Sequence, residues 1–169
     1  MSTEQFQKDI LPLQDKMYRY ALSMVYDMDL AKDIVQEVFM KVWKKRDQLS
    51  QIENKEAWCI RVTRNLALDK LKLAHRKNVG LEMAANQFVS SLNPEGLAEE
   101  KDLMAAIYEM MEDLPEQQKE IFRLRDLLGY SNKEIKELMN LNDSQVKVNL
   151  FRARQKIKLK LGKLINYGG

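Results

Sequence analysis

The sequence is short of the residues that carry most metal-binding and nucleophilic chemistry. Among 169 residues there is one cysteine, Cys59, and one histidine, His75. A single cysteine excludes an intrachain disulfide framework and a cysteine-based zinc site. A single histidine excludes a multi-histidine metal centre and leaves little basis for a hydrolytic triad. We therefore expect no metal, no cofactor and no enzymatic activity.

Glycine, proline and long apolar runs are also scarce. The chain has 6 Gly and 3 Pro, which excludes collagen-like and low-complexity proteins. No apolar run approaches the roughly 18 residues that a membrane span needs. The opening segment, MSTEQFQKDI, has neither the basic start nor the apolar core of a secretory signal. These absences predict a cytoplasmic globular protein that does not insert into a membrane.

Charge, in contrast, is plentiful and unevenly placed. Residues 1–80 hold 15 bases and 11 acids, a net charge of +4. Residues 81–113 hold one base and eight acids, a net charge of −7. Residues 114–169 hold 12 bases and six acids, a net charge of +6. Two basic blocks around an acidic middle fit a polyanion partner such as nucleic acid, and they fit a solvated lysine-rich surface equally well.

Apolar residues recur at helical spacing along most of the chain, and no strand-like alternation of useful length is present. The predicted helices are 5–26, 30–45, 56–76, 97–113, 115–128, 131–139 and 144–165. Residues 46–55 are polar and aperiodic, which predicts a loop. The spacing therefore predicts an all-α fold of two helical lobes, 1–79 and 101–166, joined by a flexible acidic linker over 80–100.

Short polar motifs predict where several of these helices begin and end. The segment Asp27-Met28-Asp29 can cap the helix that follows it. Ser131 and Glu134 form a predicted capping box, and Gly129 is typical of a helix end. The last helix is predicted to be capped by Asp143 or Ser144.

The end of the chain has the pattern of a helix-turn-helix. A short capped helix, a turn at Asn140-Leu141-Asn142 and a second, basic helix follow in order. Residues 145–163 contain seven bases and no acid: Lys147, Arg152, Arg154, Lys156, Lys158, Lys160 and Lys163. Such a helix can reach base edges near its start and phosphates further along. The alternative interpretation is an amphipathic helix with a solvated lysine face.

Two further patterns lie in the first lobe. Asp33, Gln36 and Glu37 are spaced to share one helix face, which suits either a docking patch or a solvated surface. Helix 56–76 carries a polar stripe that includes Asn65 and Asp69, and six bases lie between 61 and 77. With Trp43 and Trp58 this composition fits single-stranded nucleic acid. Tryptophans buried in a core, with the stripe on the surface, explain it as well.

Taken together, these motifs resemble those of the bacterial sigma factors of the extracytoplasmic-function (ECF) type, in the sigma-70 family. The resemblance spans about residues 10–160 in the right order and spacing. The matching motifs are Asp33-Ile-Val-Gln36-Glu37-Val-Phe39 followed by Trp43; Trp58, Asn65 and Asp69; Asn93-Pro94-Glu95; Leu114-Pro115, Lys119, Gly129 and Glu134-Ile135; and Phe151-Arg152-Ala153-Arg154. The resemblance implies a transcription initiation factor that binds core RNA polymerase and promoter DNA through −10 and −35 elements.

The resemblance also implies roles for individual residues. Asp33, Gln36 and Glu37 would bind the clamp helices of the polymerase. The loop 47–56 and helix 56–76 would hold a flipped base and the melted strand of the −10 element, through Leu49, Arg61, Arg64, Asn65, Lys72 and Arg76. Helix 144–156 would enter the major groove of the −35 element. The residues implied there are Lys119, Ser131, Lys133, Gln145, Lys147, Val148, Asn149, Phe151 and Arg152.

The chain departs from the family pattern at three places. Leu49 stands where the family usually has a phenylalanine that starts the specificity loop. Val148 and Asn149 replace a serine and an arginine that often touch DNA. Because valine can contact a thymine methyl group and asparagine can pair with adenine, we predict a −35 preference that leans toward A and T. Lys136 replaces a small residue, which can shift the first helix of the pair.

The resemblance finally implies partners, and two other functions stay open. Family members are often held inactive by an anti-sigma factor, and this chain is expected to be a monomer when free. A stand-alone helix-turn-helix regulator explains the second lobe but not the motifs of the first. A degenerate sigma-like protein that only sequesters a partner fits the altered recognition helix.

Overall fold

The computed structural model describes residues 1–76 and 98–168, and every regular element in these two ranges is a helix. The chain divides into two compact units, Met1–Val79 and Gly80–Gly169. The predicted all-α fold is therefore confirmed. Most of the predicted linker, including Asn93-Pro94-Glu95, lies outside the described residues, although its last residues, 98–100, are already helical. None of the described helices is long and apolar enough to cross a membrane.

Over residues 1–76, which the structure describes, the first unit has five helices and one short 3₁₀ turn. They are α1 (Thr3–Asp9), the turn Leu11–Leu13, α2 (Gln14–Val25), α3 (Met28–Lys44), α4 (Arg46–Leu49) and α5 (Lys55–Arg76). The predicted single helix over 5–26 is wrong, because the chain breaks at Pro12 in the 3₁₀ turn. Proline has no N–H to donate and clashes with the preceding turn of a helix. The predicted loop over 46–55 is also partly wrong, since α4 occupies its start.

The core of the first unit lies among α2, α3 and α5. Tyr20 and Met17 of α2 and Ile34, Val38 and Val42 of α3 have no exposed surface. Each such side chain contributes about 1.5–3 kcal/mol when it leaves water. The spacing of these residues turns the opposite face of α3 toward solvent.

Local caps fix where α3 and α5 begin. The Leu30 N–H donates to Asp27 Oδ1 at 3.1 Å, so the predicted cap at Asp27 is confirmed. The Ala57 N–H donates to Asn54 Oδ1 at 2.9 Å, and Asn54 thereby serves α5 in the same way. Both bonds satisfy N–H groups that have no partner within the helix.

The described residues of the second unit, 98–168, form four helices and a π-helical turn. They are α6 (Ala98–Glu112), α7 (Glu116–Phe122), the π turn Arg123–Leu127, α8 (Asn132–Met139) and α9 (Asp143–Gly168). The helix predicted over 115–128 does end before Gly129, whose φ is +78°. The Tyr130 N–H closes this end on the Leu124 carbonyl at 2.9 Å. The wider turn over 123–127 was not predicted.

The turn between α8 and α9 holds the pair at a fixed angle. At the start of α8 Ser131 and Glu134 form the predicted capping box, with N–H to side-chain distances of 3.1 Å in both directions. Ile135 of α8 and Val146 of α9 have no exposed surface and anchor the two helices in one core. The pair is therefore a helix-turn-helix, as the sequence predicts.

Candidate docking and nucleic-acid interfaces

The outer face of α3 carries a polar patch. Asp33 and Gln36 are exposed, and Glu37 is half-buried. The Glu37 carboxylate lies 3.3 Å from Lys70 Nζ of α5, and both side chains remain partly open to water. At this exposure the ion pair contributes at most about 1 kcal/mol to stability. Asp33, Gln36 and Glu37 are thus held on one accessible face, which we call the α3 patch.

A groove opens beside the α3 patch, between α2 and α3. Its volume is about 250 Å³, which is small for a cofactor site. The residues that line it are Gln14, Asp15, Tyr18, Lys32, Val35 and Gln36. The described part of the chain contains no cluster of three or more residues suited to hold a metal ion.

Polar residues form a stripe along α5. Arg61, Asn65 and Lys72 are exposed, and Arg64 is half-buried. At about 3.6 residues per turn, Arg61, Asn65 and Lys72 project from the same side of the helix. Arg76 is the last residue of α5, and its side chain lies outside the described part of the structure. The stripe presents two positive charges and one amide to solvent.

Leu49 does not lie on this surface. It is the last residue of α4 and has no exposed surface. Its apolar side chain is taken into the core, so this conformation does not present Leu49 to DNA, and the contact that the resemblance implies stays a prediction. The exposed residues around it are polar: Gln48, Ser50 and Gln51.

Trp43 is engaged within the first unit. Its ring meets Phe6 of α1 edge-on, with the ring centroids 5.5 Å apart. The Arg46 guanidinium lies 4.4 Å from the Trp43 ring centroid, a cation–π contact. The Trp43 ring is still 39% exposed, although Phe6 contacts the ring in an edge-on arrangement and the Arg46 guanidinium lies over it. Its main role here is to hold α1 against α3.

The only cysteine is shielded from chemistry. Cys59 has no exposed surface. Burial, with a smaller effect from Glu56, raises the pKa of the Cys59 thiol to about 12. A thiol reacts as its thiolate, so Cys59 is a packing residue of α5.

The outer face of α9 is the most open surface of the second unit. Val148 is 41% exposed and Phe151 is 63% exposed, and Lys147 and Arg152 are exposed beside them. On the opposite side of the helix the buried residues are Val146, Leu150, Ala153 and Ile157. The core therefore fixes the rotation of α9 about its axis, and the outer face offers cations and apolar groups together.

Two of the seven bases predicted on α9 do not belong to this outer face. Arg154 makes a two-pronged pair with the Asp126 carboxylate, at 2.9 and 2.6 Å. Lys160 Nζ lies 2.8 Å from the Asp113 carboxylate. The bond with Asp126 raises the pKa of Arg154, and the bond with Lys160 lowers the pKa of Asp113. Both bases tie α9 to the rest of its own unit.

Of the residues predicted outside α9, Lys119 is the least open. Its side chain is 12% exposed, and Nζ lies 3.6 Å from Glu112 and 3.4 Å from Glu116. Two carboxylates already surround the ammonium in this conformation, and the −35 contact that the resemblance implies for Lys119 stays a prediction. Ser131 and Lys133 are exposed at the start of α8. The cap uses the Ser131 hydroxyl as an acceptor and leaves its hydrogen free to donate.

The start of α9 is capped differently from the prediction. Asn142, rather than Asp143 or Ser144, accepts the Gln145 N–H at 2.8 Å, and Gln145 Oε1 accepts the Asn142 N–H at 3.0 Å. Asp143 instead pairs with Lys136 of α8 at 3.0 Å. The hydrogen bond and the charge of Lys136 lower the pKa of Asp143. Lys136 thus ties the two helices together across the turn.

Asn149, one of the predicted −35 residues, is held by side-chain hydrogen bonds from within its own unit. It is half-buried, and its Nδ2 donates to Gln117 Oε1 at 3.3 Å and to the Gln145 carbonyl at 2.8 Å. Pairing with adenine through both N6 and N7 requires a free Nδ2 hydrogen that can be donated to N7. In this geometry Asn149 offers adenine only its Oδ1, and the adenine contact itself stays a prediction. Gln117 was not among the predicted residues, because 32 positions separate it from Asn149.

Comparison with known proteins now identifies the two units. Residues 10–77 match the family model for sigma-70 region 2, and residues 104–157 match the family model for sigma-70, region 4. Over 142 residues the chain is 30% identical to the ECF RNA polymerase sigma-E factor of Escherichia coli K12, covering 79% of this chain and 74% of that protein. The chain belongs to the ECF sigma factors. It is an alternative sigma factor that directs RNA polymerase to promoters.

Two further comparisons agree with this assignment. The chain is 29% identical over 153 residues to the ECF RNA polymerase sigma factor SigM of Bacillus subtilis, covering 89% of this chain and 91% of that one. The sigma factor RpoE of Bartonella quintana, solved in complex with the anti-sigma factor NepR, shares the fold with a TM-score of 0.63. The identity there is 20%, and the alignment covers 95% of this sigma factor and 98% of the other chain.

Proposed function

We propose that the two units of this sigma factor divide promoter recognition between them. The first unit, residues 1–79, binds core polymerase and the −10 element, and the second, residues 101–166, binds the −35 element. Residues 80–100 join them. The observation that carries the proposal is the outer face of α9, where cations and apolar side chains point away from a core that fixes the orientation of the helix.

The second unit reads duplex DNA in this proposal. Lys147 and Arg152 flank Val148 and Phe151 on the outer face. The two cations bind phosphates or guanine edges, and the apolar side chains contact thymine methyl groups. Ser131 and Lys133 at the start of α8 position the unit on the phosphate backbone. Arg154 and Lys160, being paired with carboxylates, take no part.

The first unit has two tasks in this proposal. The α3 patch docks on polymerase, and the groove beside it receives a side chain from that surface. The α5 stripe, Arg61, Asn65 and Lys72 with Arg64 and Arg76, binds the melted −10 strand. Extruding a base from the duplex costs a few kcal/mol. Contacts of that base and its strand with Asn65 and the cations of the stripe offset this cost. Leu49 supports the loop from within.

The proposal also covers the oligomeric state of this sigma factor and its protein partners. We expect this sigma factor to act as a monomer in the compartment that holds RNA polymerase. The Bartonella relative was solved with an anti-sigma factor, and we propose that this chain too is controlled by one.

Two arginines on α9 test the −35 role with a matched control. Arg152→Ala is expected to weaken recognition of a −35-dependent promoter by holoenzyme about five- to 150-fold, since one DNA contact contributes about 1–3 kcal/mol. Arg154→Ala removes the same charge two residues away, from a side chain paired with Asp126, and should change recognition by less than about threefold.

The readout is the holoenzyme concentration that gives half-maximal transcript from that promoter. Circular dichroism first checks that both variants keep their helix content. Equal losses for the two variants, with both folded, would mean that α9 acts through overall charge and that the proposed orientation is wrong.

A further inference from the structure

Asn149 is fixed by two hydrogen bonds that together use its whole donor capacity. Nδ2 donates to the Gln145 carbonyl one turn earlier on α9 and to Gln117 Oε1 on α7. A side-chain amide nitrogen has two hydrogens, and the amide oxygen can accept two bonds. Both hydrogens are therefore committed inside the unit, and only Oδ1 remains available to a ligand.

The Gln145 carbonyl also decides which way the amide faces. Rotation of the Asn149 amide by half a turn would place Oδ1 against that carbonyl oxygen at a distance now 2.8 Å. Two oxygens without a hydrogen between them repel at such a separation. The Gln145 carbonyl therefore favours the orientation in which Nδ2 faces α9 and Gln117.

An acceptor alone reads bases differently from a complete amide. In the major groove adenine N6 and cytosine N4 donate, whereas guanine and thymine present acceptors at O6 and O4. A complete asparagine amide can pair with adenine through two bonds. With only Oδ1 available, Asn149 accepts from adenine or cytosine alike and is repelled by guanine and thymine.

We propose that Gln117, a residue of α7 outside the recognition helix, sets the base specificity of Asn149 by occupying its second amide hydrogen. The inference rests on the proposed −35 role of α9 and deepens it. Gln117 is exposed and acts as a positioning residue, since it works through Asn149. The expected signature is one −35 position at which adenine and cytosine are accepted and guanine and thymine are disfavoured on the same strand.

A randomised −35 library transcribed by the full holoenzyme tests this inference, with the templates of the transcripts sequenced. Asn149→Ala identifies the position, because the preference there should vanish. Gln117→Leu removes the acceptor and frees one Nδ2 hydrogen. At that position the disfavour of guanine and thymine should fall about fivefold, which is the effect of one hydrogen bond, and adenine should gain over cytosine.

Two controls separate positioning from other effects. Gln117→Glu keeps a carbonyl-type acceptor for Asn149, so it should preserve the preference even if its charge weakens binding to all sequences alike. Gln7→Leu adds the same apolar side chain at an exposed site on α1 and should change nothing.

Three outcomes contradict the inference in distinguishable ways. If Asn149→Ala changes no position, the proposed base contact of Asn149 fails. If Asn149→Ala removes a preference that Gln117→Leu leaves intact, Gln117 does not set it. If the wild-type protein prefers guanine or thymine at that position, Asn149 must donate a hydrogen bond to DNA. Its two Nδ2 hydrogens would then not both be engaged within the unit when DNA is bound.

Discussion

Replacing Gln36 and Glu37 together by alanine is expected to abolish promoter-directed transcription while leaving the fold intact. Gln36 is exposed and Glu37 half-buried on the α3 patch, so neither supports the core. Loss of a hydrogen-bonded charge contact at an interface typically costs about 2–5 kcal/mol. The affinity for core polymerase should then fall by about 30-fold or more. The measurement is binding of the labelled chain to core polymerase without DNA, followed by transcription.

The α1 helix offers a matched control for this double variant. Glu4 and Gln7 are an exposed glutamate and glutamine three residues apart, and their replacement by alanine should leave polymerase binding unchanged. Lys70→Met breaks the pair with Glu37 but keeps the carboxylate, so it too should retain binding without DNA. Undiminished binding by the Gln36 and Glu37 variant would exclude the α3 patch as the docking surface.

The second large effect is expected on stability, at Arg123. Arg123 Nη1 lies 2.6 Å from the Glu120 carboxylate, and both side chains are about 5–6% exposed. Removal of one partner from a buried ion pair typically costs about 3–5 kcal/mol, because the other charge stays buried. Arg123→Met should therefore destabilise the second unit by several kcal/mol. Replacement of both residues by methionine should recover much of that loss.

The two tryptophans allow this loss to be assigned to one unit. Trp43 and Trp58 are the only tryptophans in the chain, and both lie in the first unit. In a urea titration of Arg123→Met, far-ultraviolet circular dichroism should show an earlier transition while tryptophan fluorescence keeps its midpoint. Arg152→Met, an exposed arginine, should shift neither by more than about 0.5 kcal/mol. If the urea titration curve of Arg123→Met is the same as that of the wild-type protein, the buried ion pair contributes nothing to the stability of the second unit.

Features that depend on neighbouring residues were predictable from the sequence. The cap at Asp27, the capping box of Ser131 and Glu134 and the end at Gly129 each depend on one or two side chains meeting the adjacent backbone. The periodicity that gave α3 and α9 also identified their buried faces. These local signals sufficed for the helix-turn-helix and for the α3 patch.

Features that depend on contacts distant in sequence were not predictable. A count of charges groups Arg154 and Lys160 with the other bases of the last helix, but their partners Asp126 and Asp113 lie 28 and 47 positions away. Gln117 and Asn149 are likewise 32 positions apart, so their hydrogen bond could not be predicted from the sequence. The position of Leu49 in the family pattern implies a DNA contact. Its apolar side chain is nevertheless buried, because removing apolar surface from water stabilises the folded state.

The most direct test is run-off transcription with this protein, core polymerase from the same bacterium and a library of that genome's upstream regions. The assignment predicts transcripts that start at a defined subset of promoters, depend on the added chain and vanish with the Gln36 and Glu37 double variant. No such transcripts, together with specific binding of the chain alone to duplex DNA, would contradict it and favour a stand-alone regulator.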